Sequence, residues 1–280
     1  PAGSGKSTLT SSWLLQQDAC NIWISLDEND NDWTRFFFYM VTGFKRSESG
    51  IGTSSLDLLN SEKAVSYEEL IASIIADLSQ IKKDCILVFD DFHLIQSEKI
   101  QAALPLLIDN LTSKIHLVIL ARTEPNLPIA KLRAQRQLTE ITAGEMQFSL
   151  AESGEFLTDV MNLDLTEHEI SKLTERTEGW VVGLQLAALS LGDGRHSAAF
   201  IENLSGKNRH IADYLIDEVL AQQTEEIQSC LLKTSVLERM SGSLCNSVLE
   251  IENSQSILEA IERLNLFIIP LDNAREWYRY

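Results

Sequence analysis

The stretch Pro1-Ala2-Gly3-Ser4-Gly5-Lys6-Ser7-Thr8 decides how the chain is read. Gly3 and Gly5 open backbone dihedrals closed to other residues, so that several N–H groups can converge on one anion. Lys6 adds a charge suited to β- and γ-phosphates, and Ser7 a hydroxyl suited to Mg²⁺. Leu9 to Leu15 then reads as a helix whose positive end faces the same phosphates. The full pattern places its first glycine one residue before Pro1, and such a loop follows a strand. The sequence therefore reads as starting inside its own motif.

Working outward, 280 residues suffice for two or three domains with ample core. Hydrophobic residues make up 44% of the chain, no run has the length of a membrane span, and no signal peptide opens it. The reading is a soluble, globular protein with no membrane partner. A net charge of −18 argues against this portion gripping nucleic acid by its phosphates. Cys20, Cys85, Cys230 and Cys245 are scattered with no C-x-x-C pair, which fits a reducing, cytoplasmic setting. Cys85, at the head of an apolar run, reads as a buried thiol.

The second strong signal is Cys85-Ile86-Leu87-Val88-Phe89-Asp90-Asp91. A continuous apolar run ending in carboxylates is what a buried parallel strand looks like, and its carboxyl end is where open α/β sheets place ligands. Asp90 is placed to hold Mg²⁺ through water, and Asp91 to orient an attacking water. Asn21 to Leu26 reads as a further strand. The acidic Asp27–Asp32 run after it either reaches a metal or, as such runs do more often, caps the helix from Trp33 to Val41. Residues 45–62 read as a loop, and Tyr67 to Leu78 as an amphipathic helix. Gln96 to Asn110 reads as a crossover helix, and Ile115 to Arg122 as the next strand. Arg122 at its end is either a surface arginine or a γ-phosphate sensor. His93 reads as structural, and Gln137 to Ile141 as one more strand closing the α/β unit near residue 146.

Beyond that point the period becomes helical. Residues 151–204 read as helices, with Gly179, Trp180 and Gly183 as core packing by default. Helices continue from Asn208 through Leu220, from Glu225 to Leu237, from Leu244 to Glu250 and from Ser256 to Leu264. Strand-like pieces at Leu266–Leu271 and Glu276–Tyr280, joined by Asp272-Asn273, complete a pattern that suggests a winged helix.

Taken together, PAGSGKST (1–8), NIWISLDENDND (21–32), ILVFDDFHLI (86–95), HLVILARTEP (116–125), TEGWVVGLQLAALSL (177–191), DYLIDEVL (213–220) and LNLFIIPLDNAREWYRY (264–280) resemble the MalT-type signal-transduction ATPases. These are the STAND class found in large LuxR-family transcription regulators. The resemblance implies an α/β fold: a P-loop NTPase domain over 1–146 lacking its N-terminal strand, a small helical domain over 147–206, and a winged-helix-like domain over 207–280. It implies ATP or ADP and Mg²⁺ as cofactors and a switch with at most slow hydrolysis. It further implies self-association in the ATP state, with a small-molecule inducer and DNA bound through later domains. Gly3, Ser4, Gly5, Lys6, Ser7 and Thr8 carry over as phosphate contacts, Ser7 and Asp90 as the Mg²⁺ pair, and Asp91 as the catalytic carboxylate. Arg122 carries over as the sensor, and Gly179 with Trp180 as the place where the helical domain meets the adenine side. Ser4 stands where the family often has an aromatic residue, and Phe92 where it often has Tyr.

A different class, the turnover ATPase of a AAA-type remodelling or loading motor, calls for an arginine finger in trans and a strong catalytic glutamate. The strand-end pair here is Asp-Asp. A small-molecule kinase leaves about half the chain without a role. The reading is a regulatory switch.

Overall fold

The computed structural model describes residues 2–48, 50–61, 65–192, 201, 213, 215–221, 223–264, 266, 268–272 and 274–280. These fall into two compact units. One is Ser7–Glu140; the other is Ile141–Tyr280 together with Pro1–Lys6.

The first unit is built on a parallel sheet of three strands in the order β1-β2-β3: Cys20–Ser25, Cys85–Asp90 and Ile115–Ile119. β2 lies in the middle, with all six residues buried. Period-two alternation splits its apolar run between two cores. Cys85, Leu87 and Phe89 join the larger one, with Phe36, Phe37, Met40 and Phe44 of α2 (Trp33–Ser47), Leu70 and Ile74 of α4 (Tyr67–Leu78), and Leu104 of α5 (Glu98–Asn110). Ile86 and Val88 join the other, with Leu14 of α1 (Lys6–Leu14). A strand covered on both faces has to be apolar throughout, and β2 is. The register pairs Cys20 with Cys85 and Ser25 with Asp90, so β1 and β2 end level with each other. All four cysteines are free thiols, and burial pushes the Cys85 thiol up to about 11.

Three expectations fail between Ser7 and Ile141. The 45–62 stretch is not a loop throughout: α2 runs on to Ser47, and α3 spans Thr53–Leu59. The reason is a long-range pair: buried Asp77 accepts hydrogen bonds from the Ser55 backbone N at 3.0 Å and the Ser55 hydroxyl at 2.7 Å. Gln137 to Ile141 is not a strand. It follows α6 (Ile129–Ala134) as irregular, largely exposed chain, and Ile141 is 64% exposed. A segment with no face to bury against a neighbouring strand forms no ladder. β3 also stops at Ile119, short of the expected Arg122.

In the second unit, α7 (Leu150–Glu155) runs into a π-helical turn at Phe156–Val160, and α8 (Glu167–Thr177) and α9 (Val181–Gly192) follow. Leu157, Leu173, Leu184, Ala187 and Leu191 make their core. A second small core holds Cys230 of α10 (Glu225–Thr234), Cys245 of α11 (Gly242–Leu249), Leu258 of α12 (Ser254–Arg263) and Tyr278. Leu215 packs against both cores. β4 (Ile269–Pro270) and β5 (Tyr278–Arg279) pair antiparallel, and Tyr278 exchanges two 2.8 Å backbone bonds with Met240. Helices closed by a hairpin make the expected winged helix. Of the helix expected from Asn208 through Leu220, Leu215–Leu220 is a π-helical turn; residues 208–212 and 214, Pro1, the expected 206/207 boundary and Asn273 lie outside the described residues.

Candidate functional site

The loop ahead of α1 has the backbone its glycines permit. Gly3 takes φ 64 and Gly5 φ 79, both left-handed. A Cβ on Gly5 meets nothing within 4 Å, so the conformation rather than lack of space demands glycine there. Ser4 between them is buried, and its hydroxyl accepts from Lys6 Nζ at 3.2 Å. α1 starts at Lys6 itself, which makes Lys6, Ser7 and Thr8 the first-turn residues whose amides have no acceptor within the helix. Ser7 and Thr8 are exposed.

In the sheet unit, Asp90 is the last residue of β2 and is 9% exposed. Its Oδ1 accepts from the Ser7 hydroxyl at 3.1 Å and from the Asp91 amide at 3.0 Å. The two residues expected to share Mg²⁺ thus meet across 83 positions of sequence. Asp91 takes φ 55, ψ 36 at the head of the short turn Phe92–Leu94, and His93 Nδ1 lies 3.8 Å from its Oδ1. Asp tolerates this left-handed conformation better than most residues, and such outliers concentrate at functional sites. Arg122 is half-buried in the bend just past β3. That bend is tied to the carboxylate turn, because Phe92 N donates to Leu120 O at 3.0 Å and Leu120 N to Phe89 O at 2.9 Å.

The acidic run after β1 resolves as capping. Asp27 and Asp30 form a reciprocal box around the Glu28–Asn31 turn, and Asp32 accepts from Arg35 N to start α2. Arg35 Nε bonds buried Asp30 at 2.7 Å, and that bond holds the Arg35 guanidinium above its ordinary range. Sequence reasoning missed Asn31. Its Oδ1 accepts from Gln96 N at 2.6 Å and Ser97 N at 2.9 Å, while its Nδ2 donates to Leu94 O at 2.9 Å and Glu28 O at 3.0 Å. It fastens the loop after β1 to the turn after β2, and so steadies the carboxylates. Nothing local in the sequence marks it.

In the other unit, Gly179 and Trp180 stand against the phosphate loop's own backbone. The Trp180 indole N–H donates to the Ala2 carbonyl at 3.1 Å, and Val182 N reaches the Gly3 carbonyl at 3.4 Å. Gly179 has φ 69, and a Cβ there would run into the carbonyl of Phe148. Both its backbone groups are engaged, N to Thr174 O at 3.1 Å and O from Phe148 N at 2.9 Å. Gly183 makes room for the indole: a Cβ would fall 2.6 Å from Trp180 Cε3.

Among the described residues no group of three or more His, Cys, Asp or Glu could hold a metal, and no helix is long and apolar enough to cross a membrane. Two hard oxygens, Ser7 Oγ and Asp90 Oδ1, fit Mg²⁺, which takes few protein ligands and completes its shell with phosphates and waters.

Residues 216–280 match the MalT winged helix domain family. The chain is 35% identical over 280 residues to the HTH-type transcriptional regulator MalT of Yersinia pestis (strain Pestoides F), covering 99% of this chain and 31% of that protein. The MalT of Yersinia enterocolitica serotype O:8 gives the same figures. The chain thus spans about a third of the length of these curated relatives. Among solved structures, the Walker-type ATPase paby2304 of Pyrococcus abyssi superposes with a TM-score of 0.60 at 18% identity, over 99% of this chain and 85% of that one. That likeness establishes the P-loop NTPase fold.

Proposed function

We propose, from its similarity to the MalT-type transcription regulators, that the chain is an ATP- and ADP-binding switch whose nucleotide state governs self-association and transcription activation. The observation that carries this reading is the 3.1 Å bond between Ser7 and Asp90; Gly3 and Gly5, for their part, hold the left-handed dihedrals a phosphate cradle needs. The amides at the start of α1 and the Lys6 ammonium bind β- and γ-phosphate oxygens, and Thr8 adds a hydroxyl in the first turn. Ser7 and Asp90 hold Mg²⁺, which when bound neutralises charge on the same phosphates. Asp91, half-exposed at the head of its turn, orients water, and Arg122 contributes positive charge from the bend after β3. With Asp91 and no glutamate there, hydrolysis is slow. Gly179 and Trp180 set the backbone of Ala2 and Gly3. Inducer sensing and DNA reading belong, on this proposal, to other segments of a longer cytoplasmic regulator.

Two measurements test it. Acid extraction of protein purified without added ligand should release ADP or ATP. Titration with a fluorescent ATP analogue should show Lys6→Ala weaker by about 1.5–3 kcal/mol, the range for a charged hydrogen bond. Equal affinity in the two proteins overturns the assignment.

A further inference from the structure

The turn that holds the phosphate loop carries an acidic residue where local rules reject one. Glu178 ends α8 with φ 49 and ψ 34. That left-handed position usually falls to glycine, because a Cβ is strained there. A carboxylate at a helix C-terminus also faces the negative end of the dipole. Glu250 does the same at the end of α11, so what sets Glu178 apart is the contact it makes.

The contact is Arg279. Its Nη1 donates to Glu178 Oε1 at 2.9 Å, across 101 positions of sequence. Arg279 lies on β5, the last strand of the winged helix, opposite Ile269. Its neighbours are firmly held. Tyr278 is fully buried, and the Tyr280 hydroxyl lies 2.7 Å from Thr234 Oγ1 and donates to Leu231 O at 3.1 Å. On the other side of Glu178 come Gly179, bonded to Phe148, and Trp180 and Val182, bonded to the carbonyls of Ala2 and Gly3. The Ala2 side chain itself packs against the winged-helix core.

We propose that the Glu178–Arg279 ion pair is a latch through which the winged helix holds the 178–182 turn, and with it Ala2 and Gly3, in the arrangement that retains nucleotide. Glu178 and Arg279 are positioning residues; neither touches the phosphates. The latch rests on the nucleotide-binding reading above and deepens it. Half-exposed ion pairs of this kind contribute little to stability and are weakened by salt, so the latch is felt in nucleotide retention more than in folding.

The test compares wild type with Glu178→Gly, Arg279→Gln and the charge swap Glu178→Arg/Arg279→Glu in the full-length protein. Dissociation of a fluorescent ADP analogue and the thermal midpoint are measured for each. Glu178→Gly relieves the left-handed strain, so its midpoint should equal or exceed that of wild type while ADP leaves about two- to fivefold faster, the ratio an exposed pair supports. The swap keeps the strain and should bring the rate back to within about twofold of wild type. ADP release from Glu178→Gly at the wild-type rate overturns the latch, as does a swap that releases ADP as fast as the single variants.

Amide exchange at Val182, measured without nucleotide, separates this failure from failure of the underlying reading. That N–H lies in the first turn of α9, where no intrahelical acceptor exists, so its protection comes from Gly3 O. A wild type that binds no nucleotide sinks the nucleotide reading. The latch is then decided by exchange alone: faster exchange in Arg279→Gln supports it, and unchanged exchange overturns it.

Discussion

In the Ser7–Glu140 unit Asp90, the carboxylate assigned to Mg²⁺, ends a strand buried on both faces; in the other unit, the residues that touch the phosphate loop stand on a turn. Asp90 is placed by six paired positions of β1 and β2 and by the packing of Phe89 against Phe36, with ring centroids 5.0 Å apart. Glu178, Gly179 and Trp180 are placed by single hydrogen bonds and one ion pair, between two small cores that share Leu215. A position set by close packing has one arrangement, whereas one set by a few polar contacts can be exchanged for another at modest cost. On the proposed reading, catalytic geometry belongs to the first kind and the reporting of nucleotide state to the second.

The largest expected effect tests the packed side. Phe89 is 1% exposed and lies against Phe36 and Phe92. Phe89→Ala should cost roughly 3–5 kcal/mol in urea denaturation followed by tryptophan fluorescence. A loss below about 1 kcal/mol would mean that the sheet is not built around that ring, and the contrast between the units would fail.

How much of this was legible follows the same division. β2 was readable because burial on both faces forces an unbroken apolar run, and α4 was readable to the residue because its amphipathic pattern is local. The P-loop was readable because its residues act within a few positions of one another. α3 was not, since Ser55 finds Asp77 only after 22 residues. Gln137–Ile141 misled because a short segment was read as a strand without a neighbouring strand to pair with it. Asn31, whose side chain reaches Leu94, Gln96 and Ser97, belongs with α3, and so does Trp180, whose partner Ala2 lies 178 positions away. No window along the sequence contains both members of such a pair. The resemblance named Gly179 and Trp180 without giving their partners.

A smaller effect tests the turn. Gly179→Ala must hold φ near 69 and force a Cβ onto Phe148 O. Roughly 1–3 kcal/mol of strain should appear as a lower thermal midpoint, with faster exchange of the Phe148 amide that Gly179 O accepts. An alanine variant as stable as wild type would show that the turn yields freely, and that its geometry cannot be what fixes Ala2 and Gly3.

The smallest effect concerns the residue pair that starts α7 just after Phe148. Glu152 accepts from the Ser149 backbone N at 2.8 Å and from its hydroxyl at 2.7 Å, while Ser149 accepts from Glu152 N. The Ser149 backbone bond first, and then the hydroxyl bond, hold the Glu152 carboxyl below its ordinary value. A carboxylate depressed in the folded state stabilises the fold above its unfolded pKa, and the contribution disappears as pH falls through the folded one. The loss therefore begins below about pH 4.3, the ordinary glutamate value, and at neutral pH the contribution is complete. Glu152→Gln keeps an acceptor but does not titrate, so it removes this slope. The stability difference between wild type and Glu152→Gln should be constant from pH 7 to 5 and shrink toward pH 3. If the difference is flat down to pH 3, the capping carboxylate is not what anchors this end of α7, and the hold on Phe148 must come from Gly179 alone.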